Sequence, residues 1–147
     1  MKLPEITIQI KKTKVDKSER ITIRSSKDAC DVFRTIFNAD TFDWLEESII
    51  LCLNRANNVI GYYKISSGGT AGTVIDPKVV FTIGLKSCAQ GIIVAHNHPS
   101  GTLKPSDADL QITKKLVDAG KTLDMPILDH IILTEEGYYS FADNGQL

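Results

Sequence analysis

The side chains best suited to chemistry lie in one stretch, AHNHPSGTLKPSDAD, residues 95–109. In extended backbone alternate side chains share a face, so His96 and His98 point one way and Asn97 the other. Pro99 reinforces this, because the residue before a proline is driven into the extended region. Two neutral imidazoles on one face of a strand end are a preorganised pair of metal ligands. Gly101 permits a chain reversal, and Pro105-Ser106 opens a helix whose first turn carries Asp107 and Asp109. With Ser106 as N-cap, the Asp109 carboxylate can turn back toward the histidine loop. Two histidines and one carboxylate leave a fourth position for water, which is the donor set of a catalytic rather than a structural zinc. Ser106-x-x-Asp109 also satisfies a capping box, and carboxylates are favoured at helix N-termini without any metal. The spacing alone leaves both uses of Asp109 open.

Several elements must position these residues. Ile6, Ile8 and Ile10 alternate with polar residues, as do Ile21 and Ile23, which predicts an N-terminal hairpin with the lysine-rich segment as its turn. Ser26 is the expected N-cap of a helix through KDACDVFRTIF, where Ala29, Val32, Phe33 and Ile36 recur at helical spacing. SIILCL, residues 48–53, is a nearly continuous apolar run, as in a strand buried on both faces. Asn57-Asn58 turns the chain into a second strand, VIGYYKI. SSGGTAG reads as a flexible loop. Asp76-Pro77 is a helix start, a capping carboxylate followed by a proline that needs no N–H, and the helix runs to about Cys88. GIIVA, residues 91–95, is another buried strand. The helix opened by Ser106 runs to about Ala119 with Gly120 as C-cap. Ile127 to Leu133 and Tyr138 to Phe141 form a closing hairpin. This order predicts an α/β or α+β sandwich built on one main sheet.

Bulk properties set limits. A chain of 147 residues fits one domain and can bury enough surface to fold without a structural metal, so a metal site here is expected to be functional. The formal net charge is −1 with a pI near 6.3, and the early lysines are interleaved with Glu5, Asp16 and Glu19. A nucleic-acid binder shows a pI above about 9 or a basic stripe with aromatics, so direct nucleic-acid binding is not expected. The letters His96-Asn97-His98 do not alter this. In HNH nucleases those residues are spread over a ββα unit rather than consecutive. Cys30, Cys52 and Cys88 are odd in number and widely spaced, and read as reduced thiols of a cytoplasmic protein. No apolar run approaches the ~18 residues of a membrane helix, and the N-terminus has no signal-peptide core.

The motif His96-x-His98, seven residues, Ser106, two residues, Asp109 resembles the signature H-x-H-x(7)-S-x(2)-D of the JAMM (MPN) metalloproteases at every required position. HNHPSG followed by PSxxD is similar to the RadC branch of that superfamily, bacterial proteins long labelled as DNA-repair factors. Asn54 with Asn58-Val59-Ile60, Leu128-Asp129-His130 and Tyr139-Ser140-Phe141 extend the likeness over roughly residues 42–143. The resemblance implies a JAMM/MPN-like (cytidine-deaminase-like) sandwich over residues 41–147, one mixed central sheet flanked by helices. Residues 1–40 would be an N-terminal hairpin and helix packed on it.

It also implies Zn2+ on His96, His98 and Asp109, and an upstream glutamate as general acid/base. Counted back from Leu53-Asn54 on the RadC-like pattern E-x-F-x-V-x-F-L-D, that glutamate is Glu46 rather than its neighbour Glu47, with Ser48 where the pattern prefers an aromatic. Zinc would lower the pKa of its water toward ~7. Glu46 would move the proton to the leaving amine, and Ser106 would donate to the oxyanion or act only as the helix cap. His130, inside the apolar stretch LDHIIL, reads first as a core residue, with a partner behind a ligand or an alternative ligand as the other readings. Asn97 and Ser100 would orient the loop or the substrate. The expected activity is that of a zinc metallopeptidase cutting peptide or isopeptide bonds in a protein or peptide substrate. The rival is a non-catalytic MPN-type module serving DNA repair or replication. RadC-like proteins usually carry a helix-hairpin-helix module ahead of this domain, and only a short hairpin and one helix precede it here, which argues against direct DNA contact. The oligomeric state leaves no mark on the sequence.

Overall fold

The computed structural model describes residues 1–7, 9, 11, 15–68 and 73–147. After a 3-10 turn at Lys17–Glu19, the elements run α1 (Ser26–Ile36), β1 (Glu47–Leu53), β2 (Val59–Ser67), α2 (Pro77–Lys86), β3 (Gly91–Asn97), α3 (Asp107–Thr122), β4 (Ile127–Leu133) and β5 (Tyr138–Ser140). The five strands make one sheet in the order β2-β1-β3-β4-β5. Only β3 and β4 are parallel, joined through α3; the other neighbours are antiparallel. This is the α/β sandwich with one mixed central sheet expected from the sequence.

Strand alternation sorts the core into two layers. Ile49, Leu51 and Leu53 of β1 and Ile93 and Ala95 of β3 pack on Ala29, Cys30 and Phe33 of α1. Ile50, Cys52, Ile92 and Val94 face the other way, onto Val80 and Phe81 of α2 and Leu116 of α3. Both central strands are buried along their whole length, which is why their sequences show no polar alternation. The β1–β2 turn has Asn57 at φ 56°, a left-handed position asparagine tolerates. Asp76 caps α2 by accepting the Lys78 N–H, with Pro77 at the first position.

Two helix caps are corrected. The cap of α1 is Ser25, whose side chain accepts the Asp28 N–H. Ser26 starts the helix, and its hydroxyl meets Asp143 and Tyr138 near the C-terminus instead. Gly120 does not cap α3; it lies inside the helix, which ends with Leu123 as C-cap. A Cβ on Gly120 would stand 2.6 Å from the Met125 carbonyl oxygen, so close packing rather than a left-handed turn demands glycine there. The left-handed residue falls later, at Asp124 with φ 50°.

The N-terminal hairpin is not formed at its described residues. Ile6 is 87% exposed and in no strand, Ile8 and Ile10 lie outside the described residues, and Thr22 makes only an isolated bridge to Asn58. Alternation supplies a strand only where a partner edge and a core await it, and Ile6 has neither. The SSGGTAG segment splits similarly: Ser66 and Ser67 end β2, and residues 69–72 lie outside the described residues. No helix among the described residues is long and apolar enough to cross a membrane.

Candidate metal centre

The topology brings the chemically interesting residues to one end of the sheet. β3 runs antiparallel to β1, with Ser48 opposite His96, and parallel to β4. His96 therefore continues the face of Ile92 and Val94 and looks toward α3. It is buried, as is the adjoining Asn97. His98 follows the strand, and its backbone N–H donates to the Leu133 carbonyl at 2.8 Å. Gly101, at φ 80°, then reverses the chain, and the Thr102 carbonyl comes within 2.7 Å of His98 Nδ1. A carbonyl only accepts, so His98 Nδ1 carries the proton and Nε2 is left as the free donor atom.

Helix α3 delivers the third group. Ser106 and Asp109 form a reciprocal capping box: the Ser106 oxygen accepts the Asp109 N–H at 3.1 Å, and the Ser106 N–H donates to Asp109 Oδ2 at 2.8 Å. The Ser106 hydroxyl also donates to Oδ2, at 2.8 Å. The box aims the carboxylate at the histidines, so the capping and ligand uses of Asp109 are compatible. His96 Nε2 and His98 Nε2 lie 2.9 Å apart, with Asp109 Oδ1 3.2 Å from the first and Oδ2 3.5 Å from the second.

These three residues are the one group of His, Cys, Asp or Glu among the described residues whose donor atoms all lie within 4.8 Å of one another. Donors at ~2.0–2.2 Å from one tetrahedral ion stand roughly 3.3 Å apart, so the observed spacing suits one metal ion. The electrostatics agree. Burial opposes ionisation of Asp109, yet the two imidazoles and the Ser106 N–H hold it well below the usual carboxylate range. Burial likewise opposes a charge on His98, but the Asp109 carboxylate, the Thr102 carbonyl and the Glu46 charge outweigh it and raise its pKa above the ordinary value. The cluster attracts positive charge, as a proton or as a metal.

The two glutamates part company. Glu47 is buried and ion-paired with Lys64 at 2.6 Å, on the face that β1 turns toward α1, so it is not the solvated carboxylate its position at the strand edge suggests. Glu46 is half-buried, and its carbonyl accepts the Gly68 N–H, which extends the β1–β2 pairing by one residue. It therefore shares the face of Ser48 and Ile50, the face on which His96 lies. Continuing the Ser48–His96 register sets Glu46 opposite His98. Its carboxylate accepts the Thr73 N–H at 3.3 Å.

Behind these stand Asn97, which the sequence assigns to orienting the loop or the substrate, His130, with core as its first reading and a partner behind a ligand as another, and Thr113, which the sequence reading does not single out. Asn97 points away from the cluster and fastens the loop ahead of β1. Its Oδ1 accepts the Glu47 N–H at 2.8 Å, and its Nδ2 donates to the carbonyls of Phe42 at 2.7 Å and Leu45 at 2.9 Å. His130, read first as core, is fully buried and stacks on Phe141, but its Nε2 lies 2.8 Å from His96 Nδ1. Its Nδ1 lies 2.6 Å from the buried Thr113 hydroxyl. The sequence signal for Thr113 was available in principle: it stands one helical turn after Asp109 and faces the same way.

A cleft of about 290 Å³ opens beside His98, lined among others by Phe42, Asp43, Ser100 and Glu135. Of the three cluster residues, His98 lines it.

The family model of the RadC-like JAB domain matches residues 23–146. A UPF0758 protein of Flavobacterium johnsoniae is 50% identical over 123 residues, 84% of this chain and 52% of its own length. A UPF0758 protein of Thermotoga maritima is 40% identical over 106 residues, 71% of this chain and 48% of its own. One from Porphyromonas gingivalis is 35% identical over 144 residues, 97% of this chain and 61% of its own. The chain thus spans about half the length of the curated relatives it matches. Its sequence match, its mixed sheet and the His–His–Asp cluster at one end of that sheet make this chain a member of the RadC-like JAB (MPN) domain family.

Proposed function

We propose that this domain is a zinc-dependent hydrolase of peptide or isopeptide bonds, with His96, His98 and Asp109 as the metal ligands and Glu46 as general acid/base. The observation that carries the reading is the convergence of two imidazole nitrogens and a carboxylate at 2.9–3.5 Å on the face that Glu46 shares. When bound, a zinc ion supplies a Lewis acid and lowers the pKa of water toward ~7. Glu46 takes the proton of the attacking water and returns it to the leaving amine, a transfer that contributes ~10²–10⁴ in rate. Ser106 holds Asp109 in place through its capping box, and its hydroxyl, turned from Oδ2, donates to the developing oxyanion. The cleft beside His98 receives the substrate chain. No basic stripe supports a nucleic-acid substrate, so a protein or peptide is the partner proposed. The free thiols of Cys30, Cys52 and Cys88 support a reducing, cytoplasmic setting.

Elemental analysis of protein purified without chelator, followed by a peptide-library digest with and without chelator, tests this. One zinc per chain and chelator-sensitive cleavage are expected. Well under one zinc per chain after zinc is supplied removes the reading, and stoichiometric zinc without cleavage of any peptide or isopeptide favours the MPN-type interaction module instead.

A further inference from the structure

We propose that Thr113 and His130 are positioning residues of the metal centre, a buried relay that fixes the proton of His96 on Nδ1 and so reserves Nε2 for the ion. The inference rests on the metal reading above and follows from counting hydrogens. The Thr113 hydroxyl donates to the Asp109 backbone carbonyl at 2.6 Å, and a carbonyl can only accept. That uses the one hydrogen the hydroxyl has. Its 2.6 Å contact with His130 Nδ1 must then be a bond donated by the imidazole. The His130 ring is fully buried, stacked on Phe141 at a 12° interplanar angle with centroids 4.8 Å apart, and no carboxylate hydrogen-bonds to it. In that surrounding the ring is neutral, so its Nε2 holds a lone pair. The 2.8 Å contact to His96 Nδ1 is therefore donated by His96.

The consequence falls on the other side of the His96 ring. With the proton on Nδ1, His96 Nε2 presents a lone pair toward His98 Nε2 and Asp109 Oδ1. His98 is fixed in the same tautomer by the Thr102 carbonyl. While both rings are neutral, two lone pairs and a carboxylate then converge with no hydrogen between them, an arrangement that an added proton or metal ion relieves. The relay leaves α3 at the Asp109 carbonyl, passes through Thr113 and His130, and ends on His96, whose Nε2 faces the Asp109 carboxylate of the same helix at 3.2 Å. Two ligands on different elements are thereby set by one chain of bonds from β4 and α3. Hydrogen bonds behind a ligating histidine typically matter 10–100-fold in metal affinity.

The test uses the full chain and zinc alone. Zinc affinity is measured by competition with a chromophoric chelator for the wild type, Thr113→Val, Thr113→Ser and His130→Phe, with circular dichroism to establish folding. Nitrogen-15 spectra of the histidines in zinc-free wild type read the tautomer directly. The expected results are a 10–100-fold loss of affinity in Thr113→Val and His130→Phe, near-native affinity in Thr113→Ser, and a His96 proton on Nδ1. A purely structural role would lower stability and leave the affinity of the folded protein unchanged. Folded Thr113→Val binding zinc within twofold of wild type, or a His96 proton on Nε2, overturns the proposal. If no form binds zinc, the metal reading falls, while the tautomer measurement still decides for or against the relay.

Discussion

Truncating Asn97 should loosen the base without touching the ligands. In Asn97→Ala three hydrogen bonds disappear, one from the Glu47 N–H and two to the carbonyls of Phe42 and Leu45. Glu47 is buried, so its N–H loses its partner where water enters poorly, at a cost of about 1–3 kcal/mol. The two carbonyls are half-buried and can rehydrate, so each accounts for about 0.5–1.5 kcal/mol. The sum centres near 4 kcal/mol against a domain stability of about 5–15 kcal/mol, so the variant still folds at 25 °C with a thin margin. With a urea slope of about 2 kcal/mol/M, the midpoint should fall by about 2 M.

The assay is at hand in the chain. Its one tryptophan, Trp44, lies in sequence between the two stapled carbonyls, with its Nε1 donating to the Asp40 backbone carbonyl. Its fluorescence follows global unfolding and also reports any loosening of this loop in the native baseline. Zinc content should be retained, because no bond of Asn97 runs to His96, His98 or Asp109, and hydrolysis should fall because Glu46 is no longer held opposite His98. Asn97→Asp should do at least as much damage, since its second oxygen would face two carbonyl oxygens in place of an NH₂ group. A stability loss below 1 kcal/mol in Asn97→Ala, or an aspartate better tolerated than alanine, would refute this account.

Other expectations follow from the same geometry. Glu46→Gln should keep zinc and fold while losing ~10²–10⁴ in hydrolysis. Glu47→Gln should leave hydrolysis intact and cost under ~1 kcal/mol, because its partner Lys64 is 45% exposed; steady-state kinetics and denaturation check both. His98→Ala should bind zinc far more weakly yet stay folded, since the two apolar layers do not include it, as elemental analysis and circular dichroism would show. Burial pushes the Asp129 carboxyl above its ordinary value of 3.8 despite bonds from Ser140, Ala142 and His130, so the folded state takes up this proton at higher pH than the unfolded chain. The group therefore penalises folding most above its folded pKa, and the penalty fades as pH falls through that value toward 3.8. The stability of wild type relative to Asp129→Asn should rise over that window, and a flat difference in pH-dependent denaturation would count against it.

What the sequence could tell depended on distance along the chain. His96, His98, Ser106 and Asp109 lie within one strand, one reversal and one helix start, each with its own local signal, and the structure brings them together as that stretch suggests. The two central strands were legible because burial on both faces removes polar alternation, and α2 because Asp76-Pro77 is an unambiguous start. Thr113 was not, and His130 was legible only as one of several readings, since their contacts join atoms 34 and 17 positions apart that meet only after β3 pairs with β4 and α3 folds over both. A histidine within LDHIIL is what a core strand and a hydrogen-bonded relay both look like from outside. The cap of α1 slipped by one residue because Ser25 and Ser26 are equally competent chemically, and only the helix direction decides between them. Gly120 misled for a different reason: a backbone oxygen contributed by Met125, beyond the helix, makes the site intolerant of a Cβ, and nothing in the helix itself records that.

The strand order explains why one end of the sheet can hold the whole apparatus. β1 runs against β3 and β4 runs with it, so the C-terminal end of β3 meets the beginning of β1 and the end of β4. The histidines at the end of β3, a carboxylate ahead of β1 and the His130 support from β4 are therefore neighbours in space while Glu46 and His130 lie 84 positions apart in sequence. The helix that connects β3 to β4 begins at this same end, so its N-terminal dipole stabilises the negative charge of Asp109 just where the capping box turns that carboxylate toward the histidines. Alternation then divides the labour within the triplet: His96 and His98 face the Asp109 carboxylate, and Asn97 between them faces the loop that carries Glu46. A shift of β3 by one residue against β1 would exchange these roles, sending the asparagine to the cluster and both histidines into the α1 layer. The continuous burial of β1 and β3, with opposite faces matched to different helices, is what forbids that slip, so the packing of the core and the composition of the site are consequences of one register.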